Sequence, residues 1–277
     1  MIARALTWWT ILRICIEERM VYRGDFALGT LMRFLPIVTQ IFLWWAIFES
    51  IGHGSVEGAS IVGYSFQNMV AYYLLTMLSR AFSSMPGLAS GIALQIRNGE
   101  IKKFLIQPVD LIGFLFLNRV AHKLTYYAVA AMPFALVFFL CRSFFVGGWP
   151  PFPIFAAFVA SLLMGFLIGF FLEICIGLVG FWFLEVSSLL FIYMLLSFFL
   201  SGHMFPLDML KEPFSTIVDY MPLKYLAYYP AAIFLEKVQG PDLVRGLLVE
   251  AAWLLFFFVA AQVMLHRGLK RYSGYGG

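Results

Sequence analysis

Long apolar runs, bounded by charged residues, Gly or Pro, dominate the chain. A helix that crosses a bilayer needs about 20 mostly apolar residues, and runs near this length occur over Asp25–Phe48, Ser60–Phe82, Leu111–Leu140, Pro151–Phe183, Glu185–Leu200 and Leu243–Leu265. Little more than Glu185 separates the fourth run from the fifth, so this boundary is the least sharply defined. The pattern predicts an all-α polytopic membrane protein whose six transmembrane helices form a single domain over residues 25–277.

Residues 1–24 precede the first apolar run and have a different pattern. Apolar side chains recur there at helical spacing, which predicts an amphipathic helix lying in the membrane interface, with Trp8 and Trp9 at headgroup depth. The stripe consists of Ile2, Leu6, Trp9, Leu12, Ile16 and Met20. Charged residues interrupt this segment before any long apolar run begins, so we do not expect a cleaved signal peptide.

Residues 201–242 are too long for a tight turn between the last two runs. They combine four prolines with tyrosines and apolar stretches such as Tyr225–Leu235. Tyrosine is enriched where hydrocarbon meets water. This composition predicts short re-entrant helices that dip into the outer face of the membrane.

The orientation of the helices follows from the distribution of Lys and Arg, which collect in short cytoplasmic loops. Basic residues are concentrated before the first run, between the second and third runs, and after the sixth. They are Arg4, Arg13, Arg19, Arg23, Arg80, Arg97, Lys102, Lys103, Arg267, Lys270 and Arg271. Both termini are therefore predicted to be cytoplasmic, which requires an even number of spans.

Composition supports a membrane protein and excludes several other classes. The chain is 62% hydrophobic and only 12% charged, with a mean hydropathy of +0.88, whereas soluble domains carry about 25% charged residues. The net charge of +4 is dispersed in short clusters, which argues against nucleic-acid binding. Cys15, Cys141 and Cys175 lack the spacing of a disulfide framework or a zinc site.

Motifs for catalysis are also missing from the sequence. There is no G-x-x-x-x-G-K-[ST] phosphate loop, no H-E-x-x-H pair and no G-x-S-x-G nucleophile elbow. The four histidines, His53, His122, His203 and His266, lie on different predicted elements. We expect neither an enzyme nor a metal site.

Polar side chains within the runs are candidates for a pathway. Arg33 and Glu173 lie at similar predicted depth and could form a buried ion pair; alternatively, Arg33 extends toward the headgroups and Glu173 is protonated. Gln67, Asn68, Ser197 and Ser201 could line a conduit or hydrogen-bond between helices. Gly165 and Gly169, spaced as G-x-x-x-G, predict close helix packing.

The cytoplasmic segment Arg97–Asp110 combines charged and apolar positions. Ile101, Phe104 and Leu105 form an i, i+3, i+4 apolar set that could dock in a groove on a partner protein. A charged loop that only anchors the topology is the alternative. Pro108 is expected to end the short helix before the third span.

Several short motifs resemble those of permeases of the type-2 ABC transporter family, in matching order along nearly the whole chain. They are Arg97, Gly99, Glu100, Ile101, Lys103, Leu105, Ile106, Gln107 and Pro108; Ser201, Gly202, Phe205, Pro206, Leu207 and Asp208; Met221-Pro222; Tyr229-Pro230-Ala231; and Arg271–Gly274. Each motif is weak alone. The resemblance gains specificity from their placement on the predicted topology.

The resemblance implies a permease subunit that forms a substrate conduit as a dimer with an identical or related permease. Separate cytoplasmic ATP-binding subunits would hold ATP and Mg and drive export across the inner membrane. The loop near residues 95–109 would be the coupling helix, with Arg97, Gly99, Glu100, Ile101, Lys103, Phe104 and Leu105 at the ATPase. Gly202, Phe205 and Pro206 would belong to an exit gate.

Two other classes remain alternatives to an exporter. An ion-coupled secondary transporter is expected to show inverted repeats with broken helices, and the two halves of the sequence show no convincing repeat. A non-transporting membrane assembly subunit would leave the polar residues of the runs without a role in a pathway. Copurification of an ATPase would distinguish these classes from the exporter.

Overall fold

In a computed structural model, the protein is described over residues 2–21, 23–52, 56, 59–107, 109–183 and 185–272. Helices account for nearly all of the regular structure in these ranges. They are α1 (Ile2–Val21), α2 (Arg23–Ile51), α3 (Phe66–Ser83), α4 (Leu88–Arg97), α5 (Lys102–Ile106), α6 (Leu111–Leu140), α7 (Phe152–Leu178), α8 (Ser187–Leu200), α9 (Phe214–Asp219), α10 (Tyr228–Phe234) and α11 (Gly240–Arg271).

Short elements connect these helices. Strands β1 (Ser60–Ile61) and β2 (Tyr64–Ser65) pair as a small hairpin, and 3-10 helices occur at Arg142–Phe144, Val179–Phe181, Leu207–Met209 and Pro222–Leu226. The chain divides into two compact units. Unit 1 comprises Met1–Ser60, Ser65–Gln67 and Lys103–Phe145, and unit 2 comprises Ile61–Tyr64, Asn68–Lys102 and Val146–Gly277.

In unit 1, both α1 and α2 pack against α6. The Asp110 side chain caps α6 by accepting a hydrogen bond from the Gly113 backbone N–H at 2.6 Å. Gly113 also admits the Trp8 ring of α1, because a Cβ at this position would lie 3.0 Å from that ring. Small size at residue 113 thus permits α1 to approach the start of α6.

In unit 2, α7 is the central helix, and α4, α10, α11 and the 3-10 helix Pro222–Leu226 all pack against it. Its glycines make these contacts close. A Cβ at Gly165 would lie 2.7 Å from the Tyr225 carbonyl oxygen, and a Cβ at Gly177 would lie 2.8 Å from the Ala89 carbonyl oxygen. The close packing predicted from Gly165 and Gly169 is confirmed, and backbone rather than side chain is the usual neighbour.

A break separates α3 from α4 beside α7. The carbonyl oxygen of Ser83, the last residue of α3, would collide with a Cβ at Gly169. The Ser83 hydroxyl donates a hydrogen bond to the Leu226 carbonyl oxygen at 2.7 Å. Gly87 then has φ of 74°, a left-handed conformation that glycine adopts without strain, and α4 begins at Leu88. The chain therefore continues along α7 as a second helix.

Four helices in the described part of the chain are long and apolar enough to cross a membrane. They are Phe34–Ile51 within α2, Leu111–Leu140, Phe152–Phe181 and Gly240–Arg271, and they correspond to the first, third, fourth and sixth apolar runs. These helices and the near absence of strands confirm an all-α membrane protein. The second and fifth runs correspond to α3, with 18 residues, and α8, with 14 residues, which are not among the four.

The second run begins later as a helix than the sequence pattern predicts. Residues from Ser60 were expected to be helical, but Val62 and Gly63 have φ of 49° and 74° and form the turn of the hairpin. Lys237 donates a hydrogen bond from Nζ to the Gly63 carbonyl oxygen at 2.8 Å. Because a distant residue holds this turn, hydropathy along the sequence does not reveal where α3 starts.

The packing of α7 predicts different effects for two glycine substitutions in unit 2. We expect Gly169→Ala to destabilise the protein by about 1–3 kcal/mol, because the new methyl group would meet the Ser83 backbone. In the matched control Gly91→Ala on α4, no atom lies within 4 Å of the new Cβ, so stability should be unchanged or slightly higher. Thermal unfolding of the purified protein compares the two variants, and equal midpoints would contradict the packing argument.

Candidate functional site

The predicted coupling segment begins where α4 ends. Asn98 terminates α4, and Gly99 has φ of 76°, a left-handed conformation in which glycine avoids the strain that a side chain would bring. Arg97, in the last turn of α4, lies 3.7 Å from the Glu185 carboxylate in an exposed ion pair. The backbone N–H of Glu100 donates to the Gln95 carbonyl oxygen at 2.9 Å. This chain reversal therefore has a defined geometry.

The side chains of the coupling segment differ in their accessibility. Ile101 is 1% exposed, whereas Ile106 is 84% exposed. The Phe104 ring packs against Phe114 with centroids 5.3 Å apart. Lys102 and Lys103 are exposed, and the Leu105 side chain lies outside the part of the chain that the structure describes. Among the side chains of this segment that the structure describes, Ile106 is therefore the exposed aliphatic one, and it is absent from the predicted apolar set.

Tyrosines of α3 hold the segment that contains the predicted exit-gate residues Gly202, Phe205 and Pro206. The Tyr72 hydroxyl donates to the Gly202 carbonyl oxygen, and the Tyr73 hydroxyl donates to the Met204 carbonyl oxygen at 2.6 Å. Because Tyr72 is fully buried, its hydrogen bond is shielded from water. The gate segment is thus attached to α3 through its backbone.

Gly202 fits this attachment for two reasons. Its φ is 79°, and a Cβ would lie 2.5 Å from the Tyr228 Cβ and 2.7 Å from the Tyr72 hydroxyl. Phe205 is half-buried and Pro206 is buried. The S-G-x-x-F-P-L-D motif therefore contains a glycine that both conformation and space demand.

A carboxylate completes the attachment at the end of the same motif. Asp208 accepts hydrogen bonds from the hydroxyls of Tyr64, at 2.7 Å, and Tyr228. Burial and, secondarily, the Asp208 carboxylate raise the pKa of Tyr228, so its hydroxyl remains a donor at neutral pH. Lys237 lies over the Tyr64 ring, with its ammonium 4.2 Å from the centroid. Asp208 belongs to the motif read from the sequence, but its tyrosine partners are not apparent from the sequence.

The four predicted conduit residues differ in burial and in the unit to which they belong. Ser197 and Ser201 lie on α8 and at its C-cap, are buried, and both belong to unit 2. Gln67 is exposed and belongs to unit 1, whereas Asn68 is half-buried and belongs to unit 2. Of the four, the two serines share one helix and its C-cap.

The predicted ion pair between Arg33 and Glu173 stays a prediction. The Arg33 side chain lies outside the described residues, and Glu173 is half-buried on α7. Glu173 and Arg80 of α3 both lie close enough to Tyr193 on α8 to interact with it electrostatically. Arg80 also donates a hydrogen bond to the Ser197 hydroxyl oxygen at 3.3 Å. In the sequence, Arg80 is only one of the basic residues of the positive-inside pattern, which does not predict this contact.

Other buried ionisable residues are also not among those predicted from the sequence. Glu250 of α11 is fully buried and its carboxylate lies 3.2 Å from the Ser161 hydroxyl of α7. In unit 1, Arg119 and Lys123 are each 8% exposed and share one face of α6. The signal that could have identified all three residues is an ionisable side chain within an apolar run. Among the residues that the structure describes, no group of three or more His, Cys, Asp or Glu side chains could hold a metal ion.

The tyrosine attachment predicts that removal of one hydroxyl loosens the gate segment. We expect Tyr72→Phe to cost about 1–3 kcal/mol, because the buried Gly202 carbonyl would lose its donor. Tyr220→Phe is the matched control, since Tyr220 is 73% exposed. Hydrogen exchange of the backbone amides at 202–206 should accelerate in Tyr72→Phe only. Equal exchange rates in the two variants would show that the hydroxyl does not hold the segment.

Comparison with known proteins assigns the chain to a family. The model of a family described as "ABC-2 family transporter protein" matches residues 34–276, which is most of the chain. None of the curated proteins compared with the chain matches it. The family match agrees with the apolar helices and with the motifs that resemble type-2 ABC permeases, so the chain belongs to the ABC-2 transporter family, as a membrane-embedded permease.

Proposed function

We propose that this chain is the permease subunit of an ATP-driven exporter and forms the substrate conduit as a dimer with an identical or related permease. Separate cytoplasmic subunits bind and hydrolyse ATP with Mg. The observation that carries the proposal is the segment from Arg97 to Asp110 in a chain of the ABC-2 family. It presents Glu100, Lys102, Lys103 and the apolar Ile106 at the surface, a combination suited to a docking partner.

The position of this segment along the chain suggests how ATP hydrolysis acts on the permease. The segment links α4 of unit 2 to α6 of unit 1. Asp110 caps α6 directly after it, and α4 packs along α7 through Gly177. Closure of the ATPases would displace the segment, and both units would respond because each is covalently joined to it. Two discrete arrangements of the permease would then alternate.

The proposed topology has six spans in the inner membrane, with both termini in the cytoplasm. Four helices with the composition of spans support it, together with α3 followed by α4 and with α8 as the remaining two. Residues 201–242 form short helices held to α3 by tyrosines, as a re-entrant segment at the outer mouth would require. Helix α1, with Leu6 and Trp9 exposed, would lie in the cytoplasmic interface.

Coupling can be tested on the complex of this chain with the ATPase that copurifies with it. We expect Ile106→Asp and Glu100→Arg each to reduce substrate-stimulated ATP hydrolysis about tenfold or more. The first variant places a charge at an apolar contact with the ATPase, and the second reverses the charge at an acidic one. Val146→Asp is the matched control, since Val146 is exposed and lies in the predicted outer loop. It should leave hydrolysis unchanged.

The outcome separates the exporter from its alternatives. Unchanged hydrolysis in the two variants would overturn the coupling role of the segment. A chain that copurifies with no ATPase but transports with an ion gradient would be a secondary transporter. Absence of both ATPase and transport would indicate a membrane assembly subunit.

The topology can be tested by labelling introduced cysteines. In a variant with Cys15, Cys141 and Cys175 replaced by Ser, we would introduce Lys102→Cys or Trp149→Cys, both at exposed positions. An impermeant maleimide should label residue 149 in intact cells and residue 102 only after permeabilisation. Labelling of residue 102 in intact cells would contradict cytoplasmic termini.

A further inference from the structure

One face of α4 lies against the end of α7 and the connection that leads to α8. A Cβ at Gly177 would lie 2.8 Å from the Ala89 carbonyl oxygen. One turn further, a Cβ at Gly180 would lie 3.3 Å from the Ala93 Cα. Ala89, Ala93 and Arg97 are spaced by four residues, so they lie along the same face of the helix. Arg97 therefore continues the packed face of α4 toward the connection.

Glu185 lies in this connection and contacts both α4 and α8. Its Oε2 atom is 3.7 Å from Nη1 of Arg97. Its Oε1 atom accepts hydrogen bonds from the Ser187 backbone N–H, at 3.0 Å, and from the Ser187 hydroxyl. Ser187 is the first residue of α8, where a backbone N–H has no partner within the helix. One carboxylate thus joins the last turn of α4 to the first turn of α8.

Between its two ends, α8 has little packing within the chain. The helix lies wholly within the described residues, and Ser197, which accepts the hydrogen bond from Arg80, is the one of its 14 residues that is buried. Its sequence contains neither Gly nor Pro, so nothing interrupts the helix over its length of about 21 Å. A displacement of one end of α8 would therefore move the other end.

The other end of α8 continues directly into the gate segment. Ser201 is the C-cap of the helix, and its carbonyl oxygen accepts a hydrogen bond from the Tyr228 backbone N–H at 2.8 Å. The carbonyl oxygen of the next residue, Gly202, is bound by the Tyr72 hydroxyl. Movement of α8 along or across its axis would act on these bonds.

We propose that Glu185 is a positioning residue, which joins the coupling segment to α8 through Arg97 and so links movement of that segment to the gate segment. The inference rests on the proposed export function and deepens it by naming a route from the ATPase to the gate. Arg97, Glu185, α8 and the gate segment all belong to unit 2. The route therefore lies within one compact unit.

An exposed ion pair suits a connection that must form and break during transport. The side chains of Arg97 and Glu185 keep 52% and 65% of their exposure, so water also stabilises the separated charges. Such a pair shifts an equilibrium between two arrangements by about fivefold at most. It would bias the position of α8 without fixing the helix in one arrangement.

The connection can be tested on the full chain in nanodiscs, without any ATPase. In the cysteine-free variant of the topology test, Met204→Cys places a thiol in the gate segment, at a position that is 39% exposed. We expect Arg97→Glu and Glu185→Arg each to change the rate at which a maleimide labels residue 204 by about twofold to fivefold. The double variant should label at a rate closer to that of the parent than either single variant.

The double variant isolates the ion pair. Loss of the α8 cap is common to Glu185→Arg and to the double variant, so recovery reports the restored charge pair alone. Arg13→Glu and Glu17→Arg are the matched controls, because these residues form an equally exposed ion pair within α1. The controls should leave the labelling rate unchanged, and all variants should keep the unfolding temperature of the parent.

Two results would overturn the connection. The first is an equal labelling rate at residue 204 in the parent and in the single variants. The second is a changed rate in the single variants without recovery in the double variant, because Arg97 and Glu185 would then act through other partners.

The complex with the copurifying ATPase separates this inference from the export function. Trapping with ADP and vanadate should change the labelling of residue 204 relative to the nucleotide-free complex, and Glu185→Arg should reduce this change about twofold or more. A change of the same size in Glu185→Arg would overturn the connection and retain ATP-driven movement of the gate. Recovery in the double variant, in a chain that copurifies with no ATPase, would retain the connection and overturn the export proposal.

Discussion

The arrangement of unit 2 depends on the close approach of peptide backbone to the glycines of α7. At Gly165, Gly169 and Gly177, carbonyl groups of other segments occupy the space that a side chain would fill. Small residues allow such contact where helices are surrounded by lipid, because the solvent then contributes little to association and van der Waals contact must do so. The contacted groups belong to the end of α3, to α4 and to the 3-10 helix Pro222–Leu226. These segments are helix ends and short helices.

Interrupted helices leave backbone groups without intrahelical partners, and side chains satisfy several of them. Tyr72, Tyr73 and Ser83 of α3 donate to carbonyl oxygens of residues 202, 204 and 226. In a low-dielectric environment these bonds avoid the large cost of bare carbonyl groups. The same tyrosines place the gate segment beside α3, so the element that stabilises the segment also determines its position. Opening of the proposed gate would require these bonds to be exchanged for others.

Not every buried polar atom near this segment is satisfied in the same way. The hydroxyl of Ser201 and the Nδ1 atom of His203 have no partner among the described residues, while nearly every neighbouring carbonyl of the gate segment has one. A protein gains nothing in stability from such atoms. The proposed coupling, in contrast, would use exposed groups of the α4–α6 connection, where a partner can reach them.

The sequence alone determined the membrane environment, the all-α class and the family, because apolar runs and motif order are properties of consecutive residues. Close packing at Gly165 and Gly169 could also be read from their spacing. The start of α3 at Phe66, the burial of Ile101 and the partners of Arg80 were decided only by the tertiary structure. Each depends on residues more than 100 positions away or on packing around a turn: Lys237 holds Gly63, and Ser197 accepts from Arg80. A periodic pattern reports which face of a helix is apolar, but not which distant residue will meet it.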